Sequence, residues 1–170
     1  MTRLQTVRRD DGITAGAYID GPYRYSLWRV WDVCRHCMAV TMLNPSRADG
    51  RNDDPTIRQL IKIARHEGFG SIYVTNLHAY RTPSPDELFK LARDVIGPQN
   101  KRFLKSSLVR HSYQIAAWGT QGDKLGQATA FLKLARECHR SIRVLALTAS
   151  GHPHHPLRMK TSYIHPIWKE

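Results

Sequence analysis

A chain of 170 residues with 41% hydrophobic and 24% charged side chains has the length and balance of one folded domain, which excludes disordered and fibrous classes and a pair of ordinary domains. Its 26 Lys and Arg against 14 Asp and Glu give a net charge of +12, favouring a polyanionic partner, nucleic acid first and an anionic membrane surface second. The excess is uneven: residues 1–60 carry nine basic and seven acidic side chains, 61–100 five and four, and 101–170 twelve and three, so +9 sits in the last stretch. The competing reading of that excess is a solvated face that keeps the protein soluble.

Residues 1–20 are expected to form a peripheral or flexible N-terminal segment of a single domain spanning 1–170. Residues 23–33 (YRYSLWRVWDV) alternate apolar and polar side chains, as in a half-buried strand of an antiparallel pair. Met38 to Leu43 is a short apolar run of buried-strand type that stops at Asn44-Pro45-Ser46. Asp54-Pro55 opens a helix with Ile57, Leu60, Ile61 and Ala64 on one face, ending at Gly68. Ser71 to Thr75 reads as a strand running into Asn76. Ser84 and Glu87 have capping-box spacing, so a helix is expected from Pro85 to near Gly97, and another from about Pro98 to Leu108. Tyr113 to Trp118 is strand-like. Residues 124–138 are helical in pattern, with Leu125, Ala128, Phe131, Leu132 and Ala135 on one side, and Ile142 to Leu147 is the last apolar strand. A loop rich in His, Pro and Gly follows, Thr148 to Arg158.

Strands alternating with helices predict an α/β fold, a three-layer sandwich with a mostly parallel central sheet. Ligands of such sheets bind beyond the carboxyl ends of the strands, where Asn44, Asn76, Trp118-Gly119 and Gly151 to Arg158 should converge. No stretch approaches the ~18 apolar residues of a membrane span, and Met1 to Asp10 has no apolar core of signal-peptide type. Three cysteines fit a reducing compartment, so a cytoplasmic location away from membranes is expected. Cys34 and Cys37 form a CxxC that Cys138 and His139 could complete as a zinc site, but small buried thiols at a strand start are the simpler reading, and no metal is expected.

The side chains at the expected cleft suggest chemistry. An amide at Asn44 can hold a water through its carbonyl oxygen, or merely close an Asx turn. Asn76, with donor and acceptor in one plane, can pair with the edge of a base, or satisfy loop backbone. In Gly151-His152-Pro153-His154-His155-Pro156-Leu157-Arg158 the prolines stiffen the loop; a held His can donate to an oxygen that gains charge, and Arg158 can hold a phosphate. Asp49, Asp53 and Asp54 are the carboxylates nearest the first motif. One could act as a general base, although Asp54 is the natural helix cap.

These segments, in this order, resemble the uracil-DNA glycosylase superfamily. Leu43-Asn44-Pro45-Ser46 corresponds to its first motif (QDPYH, or NPG in other branches). Gly68, Val74-Thr75-Asn76 and Arg81-Thr82-Pro83-Ser84-Pro85 resemble its thermostable branch, and His152-Pro153 with Leu157-Arg158 resembles its last motif. At closer range YRYSLWRVWD, MLNPSRAD, DDPTIR, TNLHAYR, AAWG and GHPHHPL, over roughly residues 20–168, resemble a bacterial and phage family known as domain of unknown function 1643. The Tyr-His after Asp-Pro, the Gly after Asn-Pro and the iron–sulfur cysteines of the glycosylase branches are missing here, so no cluster and no other cofactor is implied.

The resemblance implies an enzyme cleaving the N-glycosidic bond of a modified or deaminated base in DNA, single strands included, acting as a monomer. Asn44 would position the attacking water, and His152 or His155 would stabilise the leaving base. Asn76, Pro45 and Ser46 would bind the base, and Arg158, Lys160 and Arg81 the phosphates. Asn in place of the superfamily's Asp removes a negative charge near the developing oxocarbenium ion, which slows excision or restricts it to good leaving groups. The alternatives are a non-catalytic binder of nucleic acid or a modified base on the same fold, and a hydrolase of free nucleosides or nucleotides.

Overall fold

In the computed structural model, which describes residues 3–91, 94–159 and 167–168, seven strands form one sheet. They are β1 (Arg3–Arg8), β2 (Thr14–Asp20), β3 (Tyr23–Val30), β4 (Cys37–Met42), β5 (Ser71–Asn76), β6 (Tyr113–Ala116) and β7 (Ile142–Val144), in the spatial order β1-β2-β3-β5-β4-β6-β7. The helices are α1 (Pro55–His66), α2 (Pro85–Leu88), α3 (Asn100–Arg110) and α4 (Gln127–Glu137).

The sheet is mixed rather than mostly parallel. The pairs β4–β5, β4–β6 and β6–β7 are parallel, whereas β1–β2, β2–β3 and β3–β5 are antiparallel. The antiparallel half is built by β1, β2 and β3: residues 3–20, expected as a peripheral or flexible segment, contain two sheet strands at the edge, and β3 joins them to β5. Asp11-Gly12 and Asp20-Gly21 supply the hairpin turns, with positive φ at both glycines (78° and 51°). Gly16 on β2 is required for another reason: a Cβ there would lie 2.1 Å from the Trp28 ring that crosses it from β3.

Alternation along the central strands sends side chains to two cores. Ile57, Leu60, Ile63 and Ala64 of α1 pack with Met38, Val40, Met42, Ile72 and Val74. Leu104 and Leu108 of α3 and Phe131, Leu132 and Ala135 of α4 pack with Ala116, Ile142 and Val144. Truncating any one of the buried Leu, Ile or Met side chains among these to Ala would cost about 2–5 kcal/mol. The α1 cap forms as expected: Asp54 Oδ1 accepts from Ile57 N at 2.9 Å.

Other boundaries shift for local reasons. The helix expected from Pro85 to near Gly97 stops at Leu88, although Ser84 does cap it. Beyond it, Asp94 Oδ1 accepts from Ile96 N and Gly97 N in a turn, while Ala79 N and Tyr80 N donate to the carbonyls of Ile96 and Val95. The helix expected over 124–138 begins at Gln127, and Leu125 lies 62% exposed in the preceding 3-10 turn. The last two strands are shorter than their apolar runs, ending at Ala116 and Val144. Among the described residues no helix is long and apolar enough to cross a membrane.

Candidate functional site

Beyond the carboxyl ends of β4 and β6 lies a cleft of about 390 Å³, a volume suited to a small ligand. Leu43 and Asn44 enter it from the end of β4, Trp118 to Gln121 from the end of β6, Thr148, His154, His155 and Leu157 from the histidine loop, and Pro85 from α2. Three of the four segments expected to converge therefore do so.

The histidine loop is seated by backbone bonds. Gly119 N donates to Pro153 O (2.8 Å), His154 N to Ala146 O (2.8 Å) and Thr148 N to His152 O (2.8 Å). This anchoring directs His154 and His155 to the cleft. His152 is held in the tight turn above it, its backbone N donating to Thr148 Oγ1 (3.1 Å), and it does not line the cavity. Of the two histidines left open, His155 lines the cleft and His152 does not, and His154 lines it as well.

The backbone contacts of the two rings favour opposite tautomers when both are neutral. His154 Nδ1 lies 3.1 Å from the His155 carbonyl, which can only accept, so Nδ1 carries the proton and Nε2 is an acceptor. His155 Nδ1 accepts from Leu157 N (3.3 Å) as it starts the 3-10 turn Pro156–Arg158, which places its proton on Nε2. The cleft thus contains one imidazole acceptor and one imidazole donor on adjacent residues.

Asn44 is also orientated by its bonds. Its Nδ2 donates to Thr82 O (2.8 Å) and Pro45 O (3.1 Å), two carbonyls that require the amide nitrogen on that side and leave Oδ1 as the acceptor. Gln121, which sequence reasoning passed over, donates through Nε2 to Asp86 Oδ1 of α2 (2.9 Å), and its buried Oε1 has no partner among the described residues. Trp118, 2% exposed, packs edge-on against Phe131 and Trp168 and forms a fixed wall.

The other expected site residues lie elsewhere. Asn76 is buried, its Oδ1 accepting from Arg24 Nη2 (3.4 Å), and its backbone carbonyl accepts from Asn100 Nδ2; it is not part of the cleft lining. Pro45 is buried, Ser46 is half-buried, and neither lines the cavity. Arg81 is half-buried, with Nη2 3.5 Å from the Arg47 carbonyl. The backbone of Arg158 closes the 3-10 turn, and Lys160 lies outside the described residues.

Each of the three aspartates has a structural task. Asp54 caps α1. Asp53 pairs with Arg29 Nε (2.7 Å) and with Arg9. For Asp49, burial alone would raise the carboxyl pKa, but donated bonds from Asn52 and Arg51 outweigh it and hold the carboxyl below its ordinary range. Among the described residues no Asp, Glu or Lys side chain and no described Arg side chain lines the cleft.

Arg24 and Arg29 were legible only as the polar half of an alternating strand, yet both are fully buried. Arg29 also donates to the carbonyls of Asp49 (2.8 Å) and Asn52 (3.2 Å), tying the loop after Asn44 to β3. Arg24 donates to Ala48 O (2.8 Å), and loss of solvent lowers its pKa to about 10.

The CxxC pair is not buried as expected: Cys34 is exposed, and Cys37 and Cys138 are half-buried free thiols. Among the described residues no three His, Cys, Asp or Glu side chains gather as a metal site.

No curated protein and no solved structure matches the chain. A family model described as a protein of unknown function (DUF1643) matches residues 24–157, which include every residue that lines the cleft, and the chain belongs to that family.

Proposed function

We propose that this protein is a DNA glycosylase-like enzyme that hydrolyses the N-glycosidic bond of a modified or deaminated base in DNA. The observation that carries the reading is the meeting of Asn44, His154 and His155 in one base-sized cleft beyond the strand ends. A flipped base enters that cleft at an unstacking cost of a few kcal/mol, offset by contacts with its walls. Asn44 Oδ1 accepts a hydrogen bond from the attacking water, and His154 Nε2 takes up the proton it releases. The water oxygen bonds to C1′ as the C1′–N bond breaks and its electron pair leaves with the base. His155 Nε2–H donates to the base oxygen on which that charge accumulates. The resulting products are a free base and an abasic site. In this reading the mixed sheet serves as a glycosylase-like scaffold with an added antiparallel edge.

The test is incubation of excess protein with single- and double-stranded oligonucleotides carrying uracil, hydroxymethyluracil or hypoxanthine, followed by alkali cleavage and mass spectrometry of released base. The expected result is an abasic site with at least one substrate, lost in Asn44→Ala and His155→Ala and retained in His152→Ala. Absence of any abasic site or released base across the panel defeats the catalytic reading.

One observation favours a second reading. Among the described residues the cleft lining has no carboxylate to face an oxocarbenium ion, which suits a protein that binds a base without excising it. Salt-dependent binding with no released base is its expected signature.

A further inference from the structure

Among the described residues the basic excess of the last 70 positions does not line the cleft. A third of the twelve basic residues beyond position 100 sit on α3, whose sequence NKRFLKSSLVR contains Lys101, Arg102, Lys105 and Arg110 and no acidic residue. All four are exposed, and among the described residues none of their side chains makes an ion pair or hydrogen bond. Arg102, Ser106 and Arg110 follow one another at intervals of four, so they share a face and span about 12 Å. Along that face lies a polar depression of about 280 Å³ whose other walls include Tyr18 of β2, Tyr73 of β5 and Phe103.

From this we infer that the solvent face of α3 is a docking surface for a nucleic-acid strand, separate from the cleft. Unpaired cations spaced along one helix face match a chain of phosphates. Half-buried Tyr18, Tyr73 and Phe103 wall the same depression as Arg102 and Arg110 and give unstacked bases an aromatic surface to pack on, which points to single-stranded DNA. A lipid surface fits less well, because Val109 is the one large aliphatic side chain that α3 exposes. The inference rests on the reading of the cleft as a DNA site and supplies what that site lacks, a positive track to hold the strand. No residue is shared between the two places.

The test titrates the full chain into a fluorescein-labelled oligothymidylate of about 20 nucleotides and follows anisotropy from about 50 to about 200 mM salt. The key variant combines Lys101→Gln, Arg102→Gln, Lys105→Gln and Arg110→Gln. A control removes the same charge from exposed positions elsewhere: Arg51→Gln, Lys62→Gln, Lys90→Gln and Lys133→Gln. With ~0.7 counterions released per single-strand phosphate contact, four lost contacts lower the salt slope by about 3. Affinity for the strand then falls about 50-fold less across that fourfold salt range than it does in the parent chain.

Circular dichroism checks the fold, and Arg102→Gln and Arg110→Gln alone provide milder variants. Unchanged affinity and slope in the α3 variant overturn the inference, as does an equal loss in the control. Loss of binding to phosphatidylserine vesicles with oligonucleotide binding intact overturns it in favour of a membrane. Base release, measured on the same samples, reports separately on the cleft: weakened binding without release in the parent chain supports this surface while sinking the catalytic reading.

Discussion

His78 provides the cleanest measurement of how burial sets chemistry in this fold. Its side chain is 0% exposed and meets Phe89 edge-on at 5.2 Å, and neither ring nitrogen has a partner among the described residues. Removal from water pulls its pKa down to about 4, with Asp94 acting weakly in the other direction. The unfolded chain binds a proton at His78 below its ordinary pKa near 6.5, whereas the folded chain does not until about 4. Stability from the neutral ring is therefore intact above about pH 6.5 and drains away as pH falls towards 4. Between about pH 7.5 and pH 5 the loss is about 2 kcal/mol, from the ratio of proton binding in the two states.

Urea unfolding followed by tryptophan fluorescence at those two pH values, in the parent chain and in His78→Leu, isolates this contribution. Other acid-sensitive groups, including His111, whose pKa burial also lowers, act on both proteins and cancel in the comparison. The parent should lose about 2 kcal/mol more than the variant, or about 1 M in midpoint for an m-value near 2 kcal/mol/M. Equal losses, within about 0.5 kcal/mol, would refute the argument from desolvation. His78 N also donates to Leu43 O (2.9 Å), which ties this buried residue to the segment that presents Asn44.

Further expectations follow from the same contacts. Asp53→Asn strips the partner from a fully buried Arg29 and should cost about 3–5 kcal/mol in chemical denaturation. Arg9→Gln, which leaves that pair intact and removes a cation whose side chain is 24% exposed, should cost about 1 kcal/mol or less; equal costs would contradict the burial argument. Maleimide should label Cys34 before Cys37, whose thiol burial pushes upward in pKa, with peptide mapping as the readout. In the cleft, Asn44→Ala should lower base release at least tenfold, as expected for loss of a positioned water, whereas His152→Ala should leave it within about twofold.

The central strands and α1 were legible because burial on a sheet leaves apolar runs and a helix leaves a 3.6-residue stripe, and both survive in Met38 to Met42 and in Ile57, Leu60 and Ala64. The antiparallel pairing of β3 was legible, but β1 and β2 were missed although Asp11-Gly12 and Asp20-Gly21 announce them, because residues 3–8 carry little hydrophobic alternation at an open sheet edge. Arg24 and Arg29 read as outward-facing, since a charged residue in a strand signals solvent unless its partners are known, and Asp53, Ala48 and Asn52 come from another segment. The cleft itself was legible from strand ends, yet its members were only half identified. Asn44 and Asn76 are the same residue type near strand ends, but Asn76 is paired in register with Met42 inside the sheet and meets the buried Arg24, while Asn44 lies two residues beyond β4, an offset visible only once the strands are paired. Among three histidines in four positions, the hydrogen bonds from Gly119 and to Ala146 decide which enter, and no periodicity in the loop encodes them.

The separation of charge from the cleft has a kinetic consequence. Among the described residues the cavity is lined by amides, hydroxyls, imidazoles and apolar walls, so the step that breaks the glycosidic bond meets no described Lys or Arg side chain that salt can screen. Phosphate recognition, by contrast, is assigned to exposed Lys and Arg on α3, where it is fully open to counterion competition. If the two proposals both hold, raising salt should weaken half-saturation by DNA steeply while leaving the single-turnover rate at saturating protein nearly flat. A rate constant that falls with salt as steeply as the affinity does would mean that screened cations act at the bond itself, and the division of labour between α3 and the cleft would have to be abandoned.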